Sequence, residues 1–350
     1  MREPKSKLIV FTIALIVLVQ RVYAQDVHFS QFDAAPLYYN PALTGVDECH
    51  NRIYTNYKGQ WNTYNTFLAS YDQHLEKVTL WGGQFGLGGL VVADYAGVNN
   101  YGNTQVKLMP AYHHSIIPGK LRLSTGLDVI FNLMSGAEDQ IVMNNGIDPI
   151  TGKKTPGYDL EHTTKFYSDL GLGFNFQYSV TPIIPINMGI TFFHLFGSGG
   201  GGLAVSDSKL GNYMRFSLNA NASYPINTSL TLLPSFIYTN QKMYNEMNFG
   251  SYLKYSVGEY TSIVDAMYVG AWYRWMDALI LGLAFDKPLN KNWIMQFGLS
   301  YDVTLSSYRE SNNWASGVNR GDSFELSIKF LNCRLPIVVN PEGIINDPYR

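Results

Sequence analysis

The sequence has few charges, few cysteines and only one long apolar run. Charged residues make up 15% of its 350 residues, against roughly 25% in ordinary soluble domains, whereas aromatic residues make up 14%. The apolar run, Leu8–Val19, is shorter than the roughly 20 residues of a membrane-spanning helix. No later run approaches that length, which excludes a helical membrane protein. The composition is therefore unusual for a soluble domain and wrong for a helical bundle in a bilayer.

The first 24 residues have the layout of a secretory signal peptide. A basic start with Arg2, Lys5 and Lys7 precedes the apolar run, and a small-residue cleavage site ends at Ala24. We expect residues 1–24 to be removed; a retained N-terminal anchor is the alternative. Removal takes away four of 25 cations and one of 27 anions, so the net charge changes from −2 to −5. Because phosphate binding needs a basic stripe, nucleic acid is not an expected partner.

Only two cysteines occur, Cys49 and Cys333, near opposite ends of an exported chain. In an oxidising compartment such a pair can form a disulfide that ties the start of the chain to its end. Two independent buried thiols are the alternative. Their spacing fits no metal site, so we expect no metal there.

Motifs that carry catalysis or bind cofactors are also lacking. The glycine run 197–202 has no Lys-Ser/Thr after it, which favours a flexible loop over a phosphate cradle. His113 and His114 are adjacent on a predicted strand and therefore point to opposite faces. The acidic stretch 135–165 lacks the EF-hand spacing, which favours a solvated loop over a calcium site. We expect no enzyme, cofactor or metal; a lipid-hydrolysing barrel that uses His194 and a strand serine is the remaining alternative.

Many segments alternate between apolar and polar residues with the period of a β-strand, for example 169–180 and 214–224. They are longer than the five or six residues typical of strands, and they suit the roughly 9–11 residues of a membrane-crossing strand. Because hydrocarbon cannot hydrate polar groups, we expect the apolar side to face lipid and the polar side to face a lumen. Fourteen strands are predicted, at 51–60, 65–76, 83–94, 103–115, 120–133, 166–180, 185–196, 212–225, 229–240, 247–257, 262–275, 278–287, 293–304 and 323–332.

The long connections between these strands all fall on one side of the predicted barrel, and short ones such as 181–184 fall on the other. The long ones are 135–165, 197–211 and 306–322, and all of them follow odd-numbered strands. Long loops outside and short turns inside are typical of an outer-membrane barrel with an even strand number. We therefore predict an all-β transmembrane barrel over 51–332 with about 14 antiparallel strands, both termini in the periplasm and a periplasmic tail at 333–350.

Trp272, Trp275 and Trp293 fall at predicted strand ends. Interfacial rings are favoured there. Ordinary packing is an equal alternative for each of them.

Residues 25–50 precede the first strand and begin "QDVHFSQFDAAPLYYNPALTGV". The stretch is rich in aromatic rings and poor in charge, and a barrel of this width leaves a hole unless something fills it. We predict an insert within the lumen; a periplasmic arm is the alternative. The predicted plug residues are Phe29, Gln31, Phe32, Tyr38, Tyr39, Asn40, Pro41 and Ala42.

These residues resemble the PorP/SprF family of type IX secretion system outer-membrane proteins. The opening stretch looks like the N-terminal signature of that family, and the resemblance continues over nearly the whole mature chain. The further matching segments are "YTNYKGQWNTYNTFLASYDQ" (54–73), "GAWYRWMDALILGLAF" (270–285), "LSYDVTLSSY" (299–308) and "SFELSIKF" (323–330). The tail 332–350 departs from the pattern, because many members stop soon after the last strand.

The resemblance implies an outer-membrane barrel that works with the other type IX components and with outer-membrane lipid around it. Such members are thought to serve a particular secreted surface adhesin, often through its C-terminal sorting domain, and in gliding bacteria the system is linked to a motor. The Asn40-Pro41-Ala42 step is also similar to the hatch of fatty-acid transport barrels, so a channel for hydrophobic small molecules is the alternative function.

The sequence does not single out which residues touch a partner. Tyr158, Trp314 and Arg320 are candidates because interfaces enrich Tyr, Trp and Arg. Ordinary exposed loop side chains are the alternative for each of the three.

Overall fold

The computed structural model describes most of the chain after residue 25. Outside the described residues lie the expected signal peptide at 1–24 and the partner candidates Tyr158, Trp314 and Arg320. The described ranges are 26–46, 49–60, 64–96, 101–137, 162–181, 183–196, 213–257, 264–290, 292–305, 322–333, 338–339 and 345–346.

Within these ranges, fourteen antiparallel strands form one closed barrel, as the sequence predicts. Each strand pairs with its neighbours in the chain, and β14 pairs with β1 from Cys49 opposite Cys333 to Gln60 opposite Ser323. Closure leaves no unpaired edge in the barrel sheet. The strands are β1 (Cys49–Gln60), β2 (Tyr64–Leu80), β3 (Gly83–Ala96), β4 (Tyr101–Ile117), β5 (Leu121–Ala137), β6 (His162–Thr181), β7 (Ile184–Phe193), β8 (Arg215–Ala222 and Tyr224–Pro225), β9 (Leu230–Gln241), β10 (Tyr244–Ser256), β11 (Ala266–Arg274), β12 (Ala278–Pro288), β13 (Trp293–Thr304) and β14 (Ser323–Cys333).

All fourteen predicted strands coincide with these, and no boundary differs by more than four residues. Several strands extend further than the alternation does: β2 continues to Leu80 and β6 already begins at His162. Ladder pairing extends to these ends because it does not require an apolar face. Beyond β14, Val338–Val339 pairs with Ile345–Asn346 in a separate two-stranded sheet.

The two faces of the sheet differ as the alternation predicts. Along β11, Tyr268 and Trp272 are buried, whereas Met267 and Val269, on either side of Tyr268, are 44% and 60% exposed. The exposed apolar side chains form the outer surface of the barrel, and the buried ones point into the lumen. The expectation of an interfacial ring is wrong for Trp272, because its position on β11 places it on the inner face, edge-on to Tyr252.

Residues 26–46 form a compact segment with little regular structure. It contains 3₁₀ turns at Phe32–Ala34 and Pro41–Leu43 on either side of the single-turn helix α1 (Pro36–Tyr39). Among the described residues, no helix has the length and apolar character needed to cross a membrane.

The barrel has two distinct ends. The strand ends that are joined by the connections 138–161, 194–214 and 305–322 all lie at one end of the barrel, which we call the long-connection end. The links 81–82 and 118–120 lie at the opposite end, which we call the short-turn end.

Cys49 and Cys333 are joined by a disulfide. The two residues are direct partners in the β1–β14 pairing, at the short-turn end of both strands. The bond therefore links the first and last strands across the seam that closes the barrel.

Replacing both cysteines with serine is expected to lower the free energy of unfolding, since the disulfide closes a loop of 284 residues and native disulfides typically contribute roughly 2–4 kcal/mol. Urea titration in detergent, followed on a gel by the mobility difference between folded and unfolded barrel, measures the change. The wild-type protein under reducing conditions is the control and should match the double variant. Equal midpoints for oxidised wild type and variant would contradict a stabilising bond.

Candidate functional site in the barrel lumen

The segment 26–46 lies against inward-facing side chains of strands all around the barrel. Seven of the eight predicted plug residues are buried there, and Phe32 is half-buried. Edge-on ring contacts join Phe29 to Tyr38 and Tyr38 to Tyr39, each with 5.3 Å between ring centroids. The aromatic residues of the opening stretch therefore form a small core together with inward-facing apolar side chains of the strands, among them Leu68, Leu90 and Met109.

Asp26 anchors the beginning of the segment. Its carboxylate is 2.8 Å from His194 Nε2 and 3.0 Å from the guanidinium of Arg215, and the other His194 nitrogen is 2.9 Å from Asp169. Arg215 also donates to the hydroxyl and the backbone carbonyl of Tyr38, both at 3.1 Å. Two carboxylates thus flank one imidazole. Removing one partner of such a buried ion pair strongly destabilises a protein, because the other charge stays buried without compensation.

The anchor at Asp26 fixes the direction in which the segment runs through the barrel. His194 follows β7 and Arg215 begins β8, so both belong to the long-connection end. The segment then runs through the lumen to the short-turn end, where Val46 accepts a hydrogen bond from Arg122 near the start of β5. The segment therefore begins at the long-connection end and finishes at the short-turn end.

Ser30 and Gln31 form a second anchor on the far side of the barrel. Their backbone N–H groups donate to the two oxygens of Glu325, at 2.7 and 3.0 Å. The Ser30 hydroxyl donates to Asp302 at 2.5 Å and accepts from Arg274 at 2.9 Å. Charged side chains from β11, β13 and β14 thus converge on two residues of the segment.

Asp72 and its partners hold the end of the segment. The Asp72 carboxylate accepts from the backbone of Gly45 at 2.5 Å and also pairs with Arg52. The same arginine donates to the carbonyl of Leu43 at 2.6 Å. His113 adds a contact of 2.8 Å between its Nε2 and the carbonyl oxygen of Thr44.

The Asn40-Pro41-Ala42 turn is received by glycines in the wall. The Asn40 side chain accepts from the backbone of Ala42 at 2.9 Å and donates to the carbonyl of Phe174 at 3.0 Å. A Cβ at Gly173 would collide with the Asn40 oxygen and the Pro41 ring, and one at Gly126 would collide with the Pro41 backbone. Glycine at these two wall positions therefore leaves the room that the Asn40-Pro41-Ala42 turn occupies.

Sequence reasoning found the segment but missed the strand residues that hold it. Arg52, Asp72, Arg274, Asp302 and Glu325 are each less than 4% exposed. A usable signal was present, because each of these charges occupies a polar position of an alternating strand. Among the described residues, no group of three or more His, Cys, Asp or Glu side chains could hold a metal ion.

Comparison with known proteins gives the family. Residues 21–330 match the model of a family described as type IX secretion system membrane protein PorP/SprF. The chain belongs to this family. It is thereby associated with type IX secretion, as an outer-membrane β-barrel whose family implies other components of that system as partners. The family and the barrel fold suggest a secretion or transport component rather than an enzyme.

Solved structures show the same fold at low sequence identity. The CymD monoaromatic hydrocarbon channel matches with a TM-score of 0.52 and 11% identity, over 86% of this chain and 92% of that chain. A Pseudomonas aeruginosa FadL homologue matches with a TM-score of 0.50 and 10% identity, over 85% and 93%. At such identity the likeness concerns the fold alone. No curated protein matches the sequence.

Replacing Gly173 with valine is expected to displace the Asn40-Pro41-Ala42 turn and to destabilise the protein by roughly 1–3 kcal/mol, the usual cost of overpacking. Gly89→Ala is the matched control, because a Cβ there meets its nearest described neighbour at an ordinary 3.5 Å. Unfolding midpoints and limited proteolysis of residues 26–46 measure both effects. Equal protease resistance in both variants would show that the turn does not need the space at Gly173.

The Asp26 anchor is expected to weaken as the pH rises. Burial lowers the pKa of His194, but the carboxylates of Asp26 and Asp169 outweigh it and raise that pKa above the ordinary 6.5. Burial raises the pKa of Asp26, but His194 and Arg215 outweigh it and lower that pKa below the ordinary 3.8. The His194 contribution to stability is complete below 6.5 and is lost as the pH passes its raised pKa; the Asp26 contribution is lost only in strong acid.

The pH dependence is measured as the unfolding free energy between pH about 6 and about 9. The wild-type value should fall over this range, and His194→Gln, which cannot be charged, should show a flatter profile. Parallel profiles for both proteins would contradict a charged His194 in the folded state.

Proposed function

We propose that this protein is a non-enzymatic outer-membrane component of the type IX system that secretes, anchors or docks a large cell-surface adhesin of the gliding-motility type. Family membership supports the assignment to the system. The occupied lumen supports docking over passage through the barrel, because the segment 26–46 is tied to strands on opposite sides of the lumen by buried ion pairs and hydrogen bonds.

In this proposal residues 26–46 act as a plug, and the cargo binds outside the lumen. The long-connection end faces the cell exterior, and the adhesin binds there through its C-terminal sorting domain. Tyr158 belongs to the connection 138–161, and Trp314 and Arg320 belong to 305–322. These residues are therefore candidates for contacts with the adhesin.

Deleting the gene is expected to leave one specific adhesin unexported or unattached, since a docking component acts on its own cargo. Surface labelling of intact cells followed by identification of the labelled proteins measures this outcome. A plasmid copy should restore display, and another type IX cargo should be displayed normally in both strains. Normal display of every adhesin in the deletion strain would contradict the proposal. Co-purification from outer membranes then identifies the bound chain.

A channel for hydrophobic small molecules is the second candidate, and one observation favours it. A cavity of about 310 Å³ lies beside Phe32, Pro36 and Tyr39 of the segment. However, Leu37 and Tyr38 are at most 1% exposed, so conduction requires the segment to move. Loss of hydrophobic-solute uptake on deletion, with normal adhesin display, would favour this candidate over the first.

A further inference from the structure

The cavity lies in the short-turn half of the lumen, between the segment 26–46 and strands on the far wall. Its volume of about 310 Å³ is at the lower end of the roughly 300–1,000 Å³ typical of small-molecule sites. On the segment side it is lined by Phe32, Pro36, Tyr39 and Leu43. The side chains of Leu37 and Tyr38, next to the cavity along the segment, are almost completely buried. Since they leave no open path past the segment, the cavity suits a molecule that stays bound.

Most of the lining is apolar, with amides on the β7–β8 side; the two charged lining residues, Asp33 and Arg52, are paired with Lys329 and Asp72. Leu233 and Tyr252 contribute the apolar wall opposite the segment. Asn187 and Asn221 also line the cavity, and the Asn187 amide donates to the Asn221 oxygen at 3.0 Å at an exposed position. An apolar chain with a hydrogen-bonding group at one end matches this distribution.

Backbone atoms of β8 and β9 line part of the cavity. The lining includes the consecutive residues 219–223 of β8 and 233–237 of β9. Since neighbouring strand residues point to opposite faces, backbone atoms must form part of that wall. The lumen-facing side chains here are short, as at Asn219, Ser223 and Ser235.

Prolines weaken the hydrogen-bond ladder at the same place. Pro185, Pro225 and Pro234 lie in three successive strands and have no N–H to donate, although proline is normally restricted to sheet edges. The β8–β9 pairing is interrupted at Ser223 and continues in the same register on both sides. The β8–β9 pairing next to the cavity is therefore incomplete, although the Ser223 N–H still donates to the Pro185 carbonyl of β7.

Apolar surface continues from this wall to the outside of the barrel. Ile183, Tyr224 and Ile226, at the ends and turns of the same strands, are 66%, 52% and 53% exposed. In a bilayer such residues contact lipid, so acyl chains are the apolar molecules present at highest concentration beside this wall. Because the apolar outer surface adjoins the wall of the cavity, we take membrane lipid as the occupant.

We propose that this cavity binds one acyl chain of a membrane phospholipid, which enters beside the proline-interrupted part of β8 and β9, with its polar end near Asn187 and Asn221. The site is independent of the cargo, so it holds whether or not an adhesin binds at the long-connection end.

The test uses full-length mature protein reconstituted in phosphatidylethanolamine vesicles that contain a phospholipid with a diazirine at the end of one acyl chain. After illumination, mass spectrometry is expected to find cross-links on lumen-facing residues of the cavity, such as Leu233 and Phe32. Leu233→Trp fills the cavity and should reduce these cross-links several-fold. Leu232→Trp is the matched control, because the neighbouring side chain lies on the lipid-facing side of the same strand, and it should leave them unchanged.

Cross-links confined to outward residues, or equal lumenal labelling in both variants, would overturn the proposal. Heat-dependent gel mobility shows whether each variant folds, and Asn221→Trp at the exposed side of the cavity replaces Leu233→Trp if that variant does not. Adhesin display is measured in the same variants. Loss of lipid labelling with normal display separates this site from the proposed docking function.

Discussion

The structure depends on one constraint: a backbone amide that faces hydrocarbon has no partner there and must be satisfied within the protein. The β1–β14 pairing closes the fourteen strands into a barrel, so the backbone amides of the wall find partners in neighbouring strands. The same constraint assigns the side chains, because alternation along each strand sends one set to lipid and the other to the lumen. Everything polar in the strands must therefore be satisfied inside a confined space.

The segment 26–46 supplies many of the hydrogen-bond partners that the polar side chains of the inner wall need. Carboxylates such as Asp72 and Glu325 lie on the inner wall, where an unpaired charge would be costly. Backbone N–H groups of Gly45, Ser30 and Gln31 donate to them. The wall holds the segment, and the segment in turn completes the hydrogen bonding of the wall. Removal of the segment would therefore expose several buried charges at once.

The sequence predicted the barrel well because period-two alternation is local. Every strand was recognisable from its own residues. The partners of Asp26 were not, since His194 and Arg215 are brought to it by tertiary packing over more than 160 positions. Trp272 shows the same limit. Its position near a strand end suggested the membrane interface, but the alternation along β11 places its side chain on the lumen side, together with Tyr268. The direction of the segment through the lumen likewise depends on distant contacts that no local pattern encodes.

The anchors differ in a way that bears on how the lumen could open. At the long-connection end, Asp26 depends on a charged imidazole between two carboxylates. At the other end, Gly45 and Leu43 are held by the Arg52–Asp72 ion pair. The end of the segment precedes β1 in the chain, and Cys49 of β1 is bonded to Cys333 of β14, whereas the beginning is held by non-covalent contacts of Asp26. A partner at the long-connection end would therefore meet the anchor that depends on the protonation of His194.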